Sequence, residues 1–154
     1  MKKYLLLAAS LLLMASCSSE THLRFMSFNI EHTAGTFEKD STTSWAARCV
    51  PVETMLMDIH PDVAFFQESQ GAQLDSLEKH LADTYEVVRY DQKGGGYYYM
   101  SFIYDKSKIE LLESEPRWFS PDPTVPFTSG EWDPKFTKMA VLGHFKVLET
   151  GKDF

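Results

Sequence analysis

Several short stretches of the chain are rich in hydrophobic residues, and two of these stretches lead to side chains with an oxygen donor. Residues 23–30 (LRFMSFNI) alternate and are rich in aromatic side chains, which predicts a strand that delivers Asn29 at its carboxyl end. Residues 62–66 (DVAFF) form a short continuous apolar run, as a strand covered on both faces requires, and run directly into Gln67 and Glu68. The pattern therefore predicts two strands that each end in a group with oxygen ligands.

Two amphipathic helices are predicted, one between these strands and one after them. The first can be capped by Ser44, and Pro51 should kink it or mark its true first turn. Its apolar face would carry Val52, Met55, Leu56 and Ile59. The second helix is marked by Leu74, Leu77 and Leu81.

After residue 84 the pattern changes from helical to meandering β. Further strands are predicted at residues 85–90, 97–104, 109–119 and 137–148. They are separated by three glycines at residues 94–96, a polar turn at residues 105–108 and a proline-rich loop at residues 120–134. The loop is long enough to suggest a functional rim. Because no repeat or linker interrupts the pattern, we expect one compact unit of the α/β class.

The composition is that of an ordinary globular domain, with 44% hydrophobic and 24% charged residues in a chain of 154. The chain carries 15 Lys and Arg against 22 Asp and Glu, a formal net charge of −7. A basic field that would hold a polyanion by counterion release is therefore missing, which excludes binding of DNA through charge alone.

The amino-terminal residues have the pattern of a secretion signal. Two lysines precede an apolar run at residues 4–15, which as a helix is too short for a bilayer core of about 30 Å. The run closes on residues 14–17 (MASC), which resemble a bacterial lipobox, in which Cys17 becomes the lipidated first residue of the mature chain. The alternative is a plain secretory signal with a coincidental cysteine.

We therefore expect a signal peptide at residues 1–16, a short tether at residues 17–22 and a domain at residues 23–154. The protein would be exported and lipid-anchored to a bacterial membrane. With Cys17 used for lipid, Cys49 has no intrachain partner, and its apolar surroundings predict a buried inert thiol. Since neither cysteine has other metal-binding residues near it in the sequence, a zinc module is not expected.

Asn29 and Glu68 are the candidates for chemistry. A hard cation such as Mg²⁺ takes oxygen ligands from one or two protein groups and leaves its other positions to water and substrate phosphate. One amide and one carboxylate at adjacent strand ends would suit such an ion. The residues alone leave an alternative open, in which Glu68 is a solvated residue before a helix and Asn29 a turn former.

A longer series of motifs follows in a fixed order along the chain. It comprises residues 26–30 (MSFNI), Trp45, Arg48, residues 61–68 (PDVAFFQE), Gln73, Leu77, Tyr85, residues 101–105 (SFIYD), residues 118–120 (WFS), Trp132, Asp133 and Lys138. The series resembles the opening of the endonuclease/exonuclease/phosphatase family, whose fold is deoxyribonuclease I-like.

The resemblance implies a two-sheet α/β sandwich in which strand ends from both halves build one site for Mg²⁺- or Mn²⁺-dependent phosphoester hydrolysis. Carried over to this sequence, Glu68 would be the metal ligand, and Asn29 would contact the metal-bound water or the phosphate, so both belong to the expected catalytic and metal site. The candidates for substrate contacts are Arg48, Tyr98, Trp132 and Lys138. The acidic net charge favours a small phosphorylated metabolite or a lipid headgroup over long nucleic acid, and no protein partner is evident.

The sequence also departs from the family pattern. Lys138 stands where many relatives have Arg, and residues 97–99 (YYY) stand where relatives often carry a Glu. The family's later motifs, which supply His and Asp residues, are not found, and His144 lies in a strand pattern that favours a structural role. We therefore expect the first half of such a domain, inactive alone and prone to aggregate. The alternatives are a non-catalytic surface lipoprotein that binds a ligand and a truncated product without function.

Overall fold

The computed structural model describes residues 21–33, 39, 42–92, 98–126 and 138–154. The expected signal peptide and Cys17 lie outside these residues. The described helices and strands are, in chain order, β1 (Phe25–Asn29), α1 (Trp45–Ile59), β2 (Val63–Ser69), α2 (Gly71–Leu81), β3 (Tyr85–Asp91), β4 (Tyr99–Asp105), β5 (Ile109–Trp118) and β6 (Met139–Val147). Within this part of the chain, none of the helices combines the length and apolarity that crossing a membrane requires.

The strands form two sheets. The first has the order β1-β2-β4-β3, with β1 parallel to β2 and with β4 antiparallel to both of its neighbours. The second is an antiparallel pair of β5 and β6. In the first sheet Asn29 lies opposite Gln67, and Ser69 lies opposite Tyr99. The carboxyl ends of β1 and β2 therefore meet the start of β4 at one edge of the sheet.

The core lies in two layers on either side of the four-stranded sheet. Ala64 and Phe66 of β2 pack into a cluster with both helices, whereas Val63 and Phe65 face a second cluster with residues of β5 and β6. Alternate residues of one strand point to opposite faces, so a strand buried on both faces must be apolar throughout. This confirms the expectation drawn from the run at residues 62–66.

The buried face of α1 differs from the predicted one. The buried residues are Trp45, Cys49, Val52 and Leu56, which are spaced at intervals of three and four residues. Ile59, predicted on the apolar face, is 38% exposed. The buried face of α1 therefore extends toward the amino end of the helix, and the last turn of the helix lies outside the core.

The ends of α1 are set by backbone groups. The Ser44 carbonyl accepts hydrogen bonds from the N–H groups of Ala47 and Arg48, both at 3.1 Å, while the Ser44 hydroxyl makes no capping bond. Pro51 lies in the interior of the helix, beyond its first turn. At the other end His60 adopts a left-handed conformation, with φ of 50°, and its N–H binds the Leu56 carbonyl at 2.9 Å.

The leucines predicted for the second helix, Leu74, Leu77 and Leu81, are buried in α2 as expected. The polar turn at residues 105–108 also forms, because Asp105 Oδ1 accepts hydrogen bonds from the Ser107 N–H at 2.9 Å and the Ser107 hydroxyl at 2.6 Å. The glycines at residues 94–96 and part of the proline-rich loop lie outside the described residues.

Candidate functional site

An open cleft of about 500 Å³ lies where the carboxyl ends of β1 and β2 meet the start of β4. Its described lining consists of Asn29, His32, Gln67, Glu68, Gln92, Tyr98, Tyr99, Met100, Phe119, Lys138 and Met139. Four of the residues predicted from sequence, Asn29, Glu68, Tyr98 and Lys138, therefore line one cleft. Trp132 lies outside the described residues.

Asn29 is the last residue of β1, and its side chain is exposed to the cleft. Its Oδ1 accepts a hydrogen bond from the Glu31 N–H at 2.9 Å, which turns the chain directly after the strand. An amide oxygen has two lone pairs, so this bond leaves one for a ligand. The residue thus serves as a turn former and still offers an oxygen to the cleft.

Glu68 reaches the cleft through an irregularity in β2. The register of β2 against β4 shifts between Phe66 and Ser69, and Glu68 has a left-handed φ of 61°. A regular strand would place residue 68 on the same face as the buried Phe66; instead the Glu68 side chain is exposed. Buried Ser69 fixes the bulge, since its hydroxyl lies 3.0 Å from the Tyr99 carbonyl oxygen and 2.8 Å from Ser101 Oγ.

The Glu68 carboxylate has no hydrogen-bond or ion-pair partner within the described part of the chain. A carboxylate turned outward by a strained backbone, with its oxygens uncommitted, is available to a ligand. Together with the Asn29 amide oxygen it provides two hard oxygen donors, a set that fits Mg²⁺ or Mn²⁺ and leaves further positions for water and phosphate.

Arg48 does not line this cleft. Its guanidinium donates to the Ile30 carbonyl at 2.6 Å, the Thr43 carbonyl at 2.6 Å and the Glu31 carbonyl at 3.3 Å. The structure therefore shows Arg48 bracing the connection between β1 and α1, including the two residues that follow Asn29. Its predicted contact with substrate stays a prediction that this geometry does not support.

Two buried glutamines at the start of α2 also bind the connection between β1 and α1. Gln73 Nε2 donates to the Glu31 carbonyl at 2.7 Å, and Gln70 Oε1 accepts from the Thr33 N–H at 2.7 Å and from the Thr33 hydroxyl. The Gln70 N–H in turn donates to Gln73 Oε1 at 3.0 Å, which completes a capping box at the start of α2. The sequence interpretation missed Gln70, although polar residues three apart before an amphipathic helix are a signal for such a cap.

The other side of the cleft is aromatic and largely uncharged. Tyr98 packs edge-on against His32, with ring centroids 6.0 Å apart. Phe119 is 52% exposed, and its N–H donates to the Lys138 carbonyl at 2.9 Å, so the ends of β5 and β6 meet beside the site. Glu68 and Lys138 are the formally charged side chains in the described lining. Such a surface suits one phosphate group attached to a less polar moiety.

Solved structures of other proteins share this fold. An endonuclease/exonuclease/phosphatase from Bacteroides vulgatus superposes with a TM-score of 0.77 at 28% identity, over 88% of this chain and 51% of that one. A family protein from Bacteroides thetaiotaomicron gives a TM-score of 0.77 at 25% identity, over 87% and 48% of the two chains. A mannosyl-6-phosphatase from the same organism gives 0.76 at 24%, over 86% and 49%.

The chain spans about half the length of these solved structures. No protein-family model matches the sequence, and neither does any curated protein. The likeness extends over 86–88% of this chain, so the fold is shared with these proteins. By its fold, the chain is therefore similar to solved proteins of the endonuclease/exonuclease/phosphatase family, the family that the order of its motifs resembles.

Proposed function

We propose that this chain forms the part of a metal-dependent phosphoester hydrolase that contains Asn29 and Glu68. The observation that carries the proposal is the uncommitted Glu68 carboxylate, turned by a β-bulge into the same cleft as the Asn29 amide. Because the chain spans about half of its solved relatives, the activity is proposed for the complete fold.

In this proposal Glu68 and Asn29 hold Mg²⁺ or Mn²⁺ through their side-chain oxygens. Such an ion would polarise the phosphoryl oxygens and stabilise the charge that develops on the leaving group. Lys138 would attract the phosphate as a point charge, without the bidentate geometry that an arginine provides. The resemblance assigns the general base to later motifs of the family, so these residues bind and orient the substrate.

We propose a small phosphoester as the substrate, such as a sugar phosphate or a lipid headgroup. A long nucleic acid needs several Lys or Arg contacts to its phosphates, whereas the described cleft lining offers Lys138 alone. Tyr98 and Phe119 provide aromatic surface for the part of the substrate beyond the phosphate. Since one structural relative is named a mannosyl-6-phosphatase, mannose 6-phosphate is a sensible first compound to assay.

We also propose that the protein is exported and lipid-anchored through Cys17. The support is the sequence of residues 1–17, in which two lysines, a short apolar run and small residues precede the cysteine. Labelling with a fatty acid should modify the wild type and the Cys49→Ser variant but not Cys17→Ser. Labelling that survives Cys17→Ser would contradict the anchor.

The function is tested by assaying the complete protein that carries these residues on small phosphomonoesters and phosphodiesters. We expect hydrolysis that requires Mg²⁺ or Mn²⁺ and stops with a chelator. Glu68→Ala should lower kcat/KM by at least about 100-fold, because it removes the metal ligand. Glu86→Ala, which removes an exposed carboxylate of β3 outside the cleft lining, is the matched control and should leave the rate unchanged.

Hydrolysis that ignores the metal, or that survives Glu68→Ala, would overturn the proposal. Binding of a phosphorylated ligand without turnover by the complete protein would support the alternative of a non-catalytic binding module.

A further inference from the structure

A second group of metal-ligating side chains lies on the two helices, and none of its members lines the cleft. Cys49 and Glu53 are one turn apart on α1, and His80 projects from α2 toward them. Glu53 Oε1 is 2.8 Å from Cys49 Sγ and 2.6 Å from His80 Nδ1, and the three donor atoms lie within 4.8 Å of one another. The sequence predicted no metal-binding residues beside Cys49. This expectation is wrong, because the packing of α2 against α1 brings His80 close to the thiol.

The three donors match the chemistry of zinc. Zn²⁺ is bound by thiolate sulfur, imidazole nitrogen and carboxylate oxygen, each at about 2.0–2.3 Å, usually in a tetrahedral arrangement. Mg²⁺ prefers oxygen alone, so a mixed set of sulfur, nitrogen and oxygen favours the softer ion. Without metal, hydrogen bonds to the shared Glu53 oxygen draw the three groups together. The Ser76 hydroxyl, 2.9 Å from Cys49 Sγ, can donate to the sulfur once it is a thiolate.

The packing of the two helices holds the three donor groups in place, and the group is open to solvent on the His80 side. The same two helices contribute Val52, Leu56, Leu74 and Leu77 to one hydrophobic cluster, which fixes the distance between them. Cys49 is 9% exposed, whereas the side chain of His80 is 44% exposed. An ion can therefore enter from the solvent side and keep a water molecule as its fourth ligand.

We propose that Cys49 Sγ, Glu53 Oε1 and His80 Nδ1 form a zinc site that ties α1 to α2. Formation of the zinc–sulfur bond releases the thiol proton to solvent, and a water molecule completes the tetrahedron. The site does not depend on the proposed hydrolase function, since it shares no residue with the cleft.

Cobalt substitution tests the site directly. The reduced protein is titrated with Co²⁺, and the thiolate-to-cobalt charge-transfer absorption is followed and then displaced with Zn²⁺. We expect one equivalent of Co²⁺ to produce the band, which Cys49→Ser removes. His80→Ala alters a largely exposed side chain and should weaken Co²⁺ binding by at least about tenfold without unfolding the protein.

Three controls separate this site from other sources of signal. Cys17→Ser should keep the band, which assigns it to Cys49. His144→Ala removes a matched surface imidazole that lies 3.4 Å from a carboxylate oxygen of Asp153 without a thiol, and it should bind Co²⁺ like the wild type. Glu68→Ala should keep the thiolate-to-cobalt band, because Glu68 is not among the three proposed ligands. The absence of a thiolate band, its survival in Cys49→Ser, or wild-type affinity in His80→Ala would each overturn the proposal.

Discussion

Glu68 has a left-handed backbone conformation, with φ of 61°, that side chains other than glycine adopt only at a cost of about 1–2 kcal/mol. The strain is sustained by the buried hydroxyl pair of Ser69 and Ser101 and by the pairing of β2 with β4 on either side of the bulge. Strain of this kind concentrates at functional positions, where it directs a side chain. Here it directs a carboxylate into the cleft.

The strain at residue 68 can be measured by comparing glycine with alanine. We predict that Glu68→Gly is more stable to unfolding by urea than Glu68→Ala, by about 1 kcal/mol, because glycine adopts a positive φ without a steric cost. At the neighbouring Gln67 the order should be reversed, since glycine weakens a regular strand. Equal stability of the two Glu68 variants would show that the backbone is unstrained there.

Tyr85 gives a residue-scale dependence of stability on pH. Its side chain is buried, and its hydroxyl has no hydrogen-bond partner within the described structure. Burial, with smaller contributions from Asp105 and Asp62, raises the pKa of Tyr85 to about 12 from an unfolded-state value near 10. The folded state therefore holds the phenolic proton more tightly, and this contribution to stability is complete below about pH 10 and is lost as the pH rises toward about 12.

We predict that Tyr85→Phe loses less stability than the wild type between about pH 10 and about pH 12, measured by urea unfolding along a pH series. At neutral pH it should be as stable as the wild type or more so, because the hydroxyl it removes is unbonded. Tyr90→Phe is the contrast, since the Tyr90 hydroxyl donates to the Ser114 carbonyl at 2.8 Å and its loss should cost about 1 kcal/mol. Equal losses in the two variants at neutral pH would contradict this account.

At the scale of elements, the first turns of both helices bind the segment that follows β1. Arg48 in the first turn of α1 and Gln73 in the first turn of α2 both donate to the Glu31 carbonyl. The predicted order of strand, helix and strand was correct, but local periodicity placed the apolar face of α1 too near its carboxyl end. Trp45 and Cys49 are buried because the four-stranded sheet lies beneath the first turns, which is a property of the packing.

Arg48→Lys separates a bracing role from a substrate contact. A lysine cannot satisfy the three carbonyls that the guanidinium reaches, so we predict a loss of about 1–2 kcal/mol in the free energy of unfolding. The rate of hydrolysis should fall through a lower kcat, because Asn29 is less well positioned. Unchanged stability with a raised KM would instead support the substrate contact predicted from sequence.

At the scale of the whole molecule, the described surface carries apolar side chains that a solvated sheet normally avoids. Phe25 in β1 is 53% exposed, and Leu112 in β5 and Leu142 in β6 are 39% and 52% exposed. β1 pairs with β2 alone and β3 pairs with β4 alone, so both edges of the four-stranded sheet are open in the described structure. Open edges and apolar faces favour association between chains.

We therefore predict that the isolated 154-residue chain binds a hydrophobic dye and self-associates, as measured by fluorescence and light scattering. Leu142→Gln should reduce both signals without lowering stability, because the side chain is half exposed. Val50→Gln, at an exposed position of α1, should have little effect on either. A monomer that excludes the dye and unfolds in one sharp transition would contradict this prediction.

The sequence by itself determined the features that depend on neighbouring residues. Alternation predicted the strand that ends at Asn29, a continuous apolar run predicted the strand that leads to Glu68, and three-residue and four-residue spacing predicted the leucines of α2, because each pattern expresses the geometry of a single element. The ordered motifs indicated a resemblance to the endonuclease/exonuclease/phosphatase family, and solved proteins of that family have a similar fold. Only the tertiary structure decided which distant side chains meet.

The pairing of β2 with β4 decided that Glu68 turns outward, and the approach of β6 to β4 brought Lys138 to the same cleft. The packing of α2 against α1 placed His80 beside Cys49, where the sequence indicated no partner. These contacts join residues at least 27 positions apart, and they form because helices and sheets bury their apolar faces together. No periodicity within a single element can encode such a meeting.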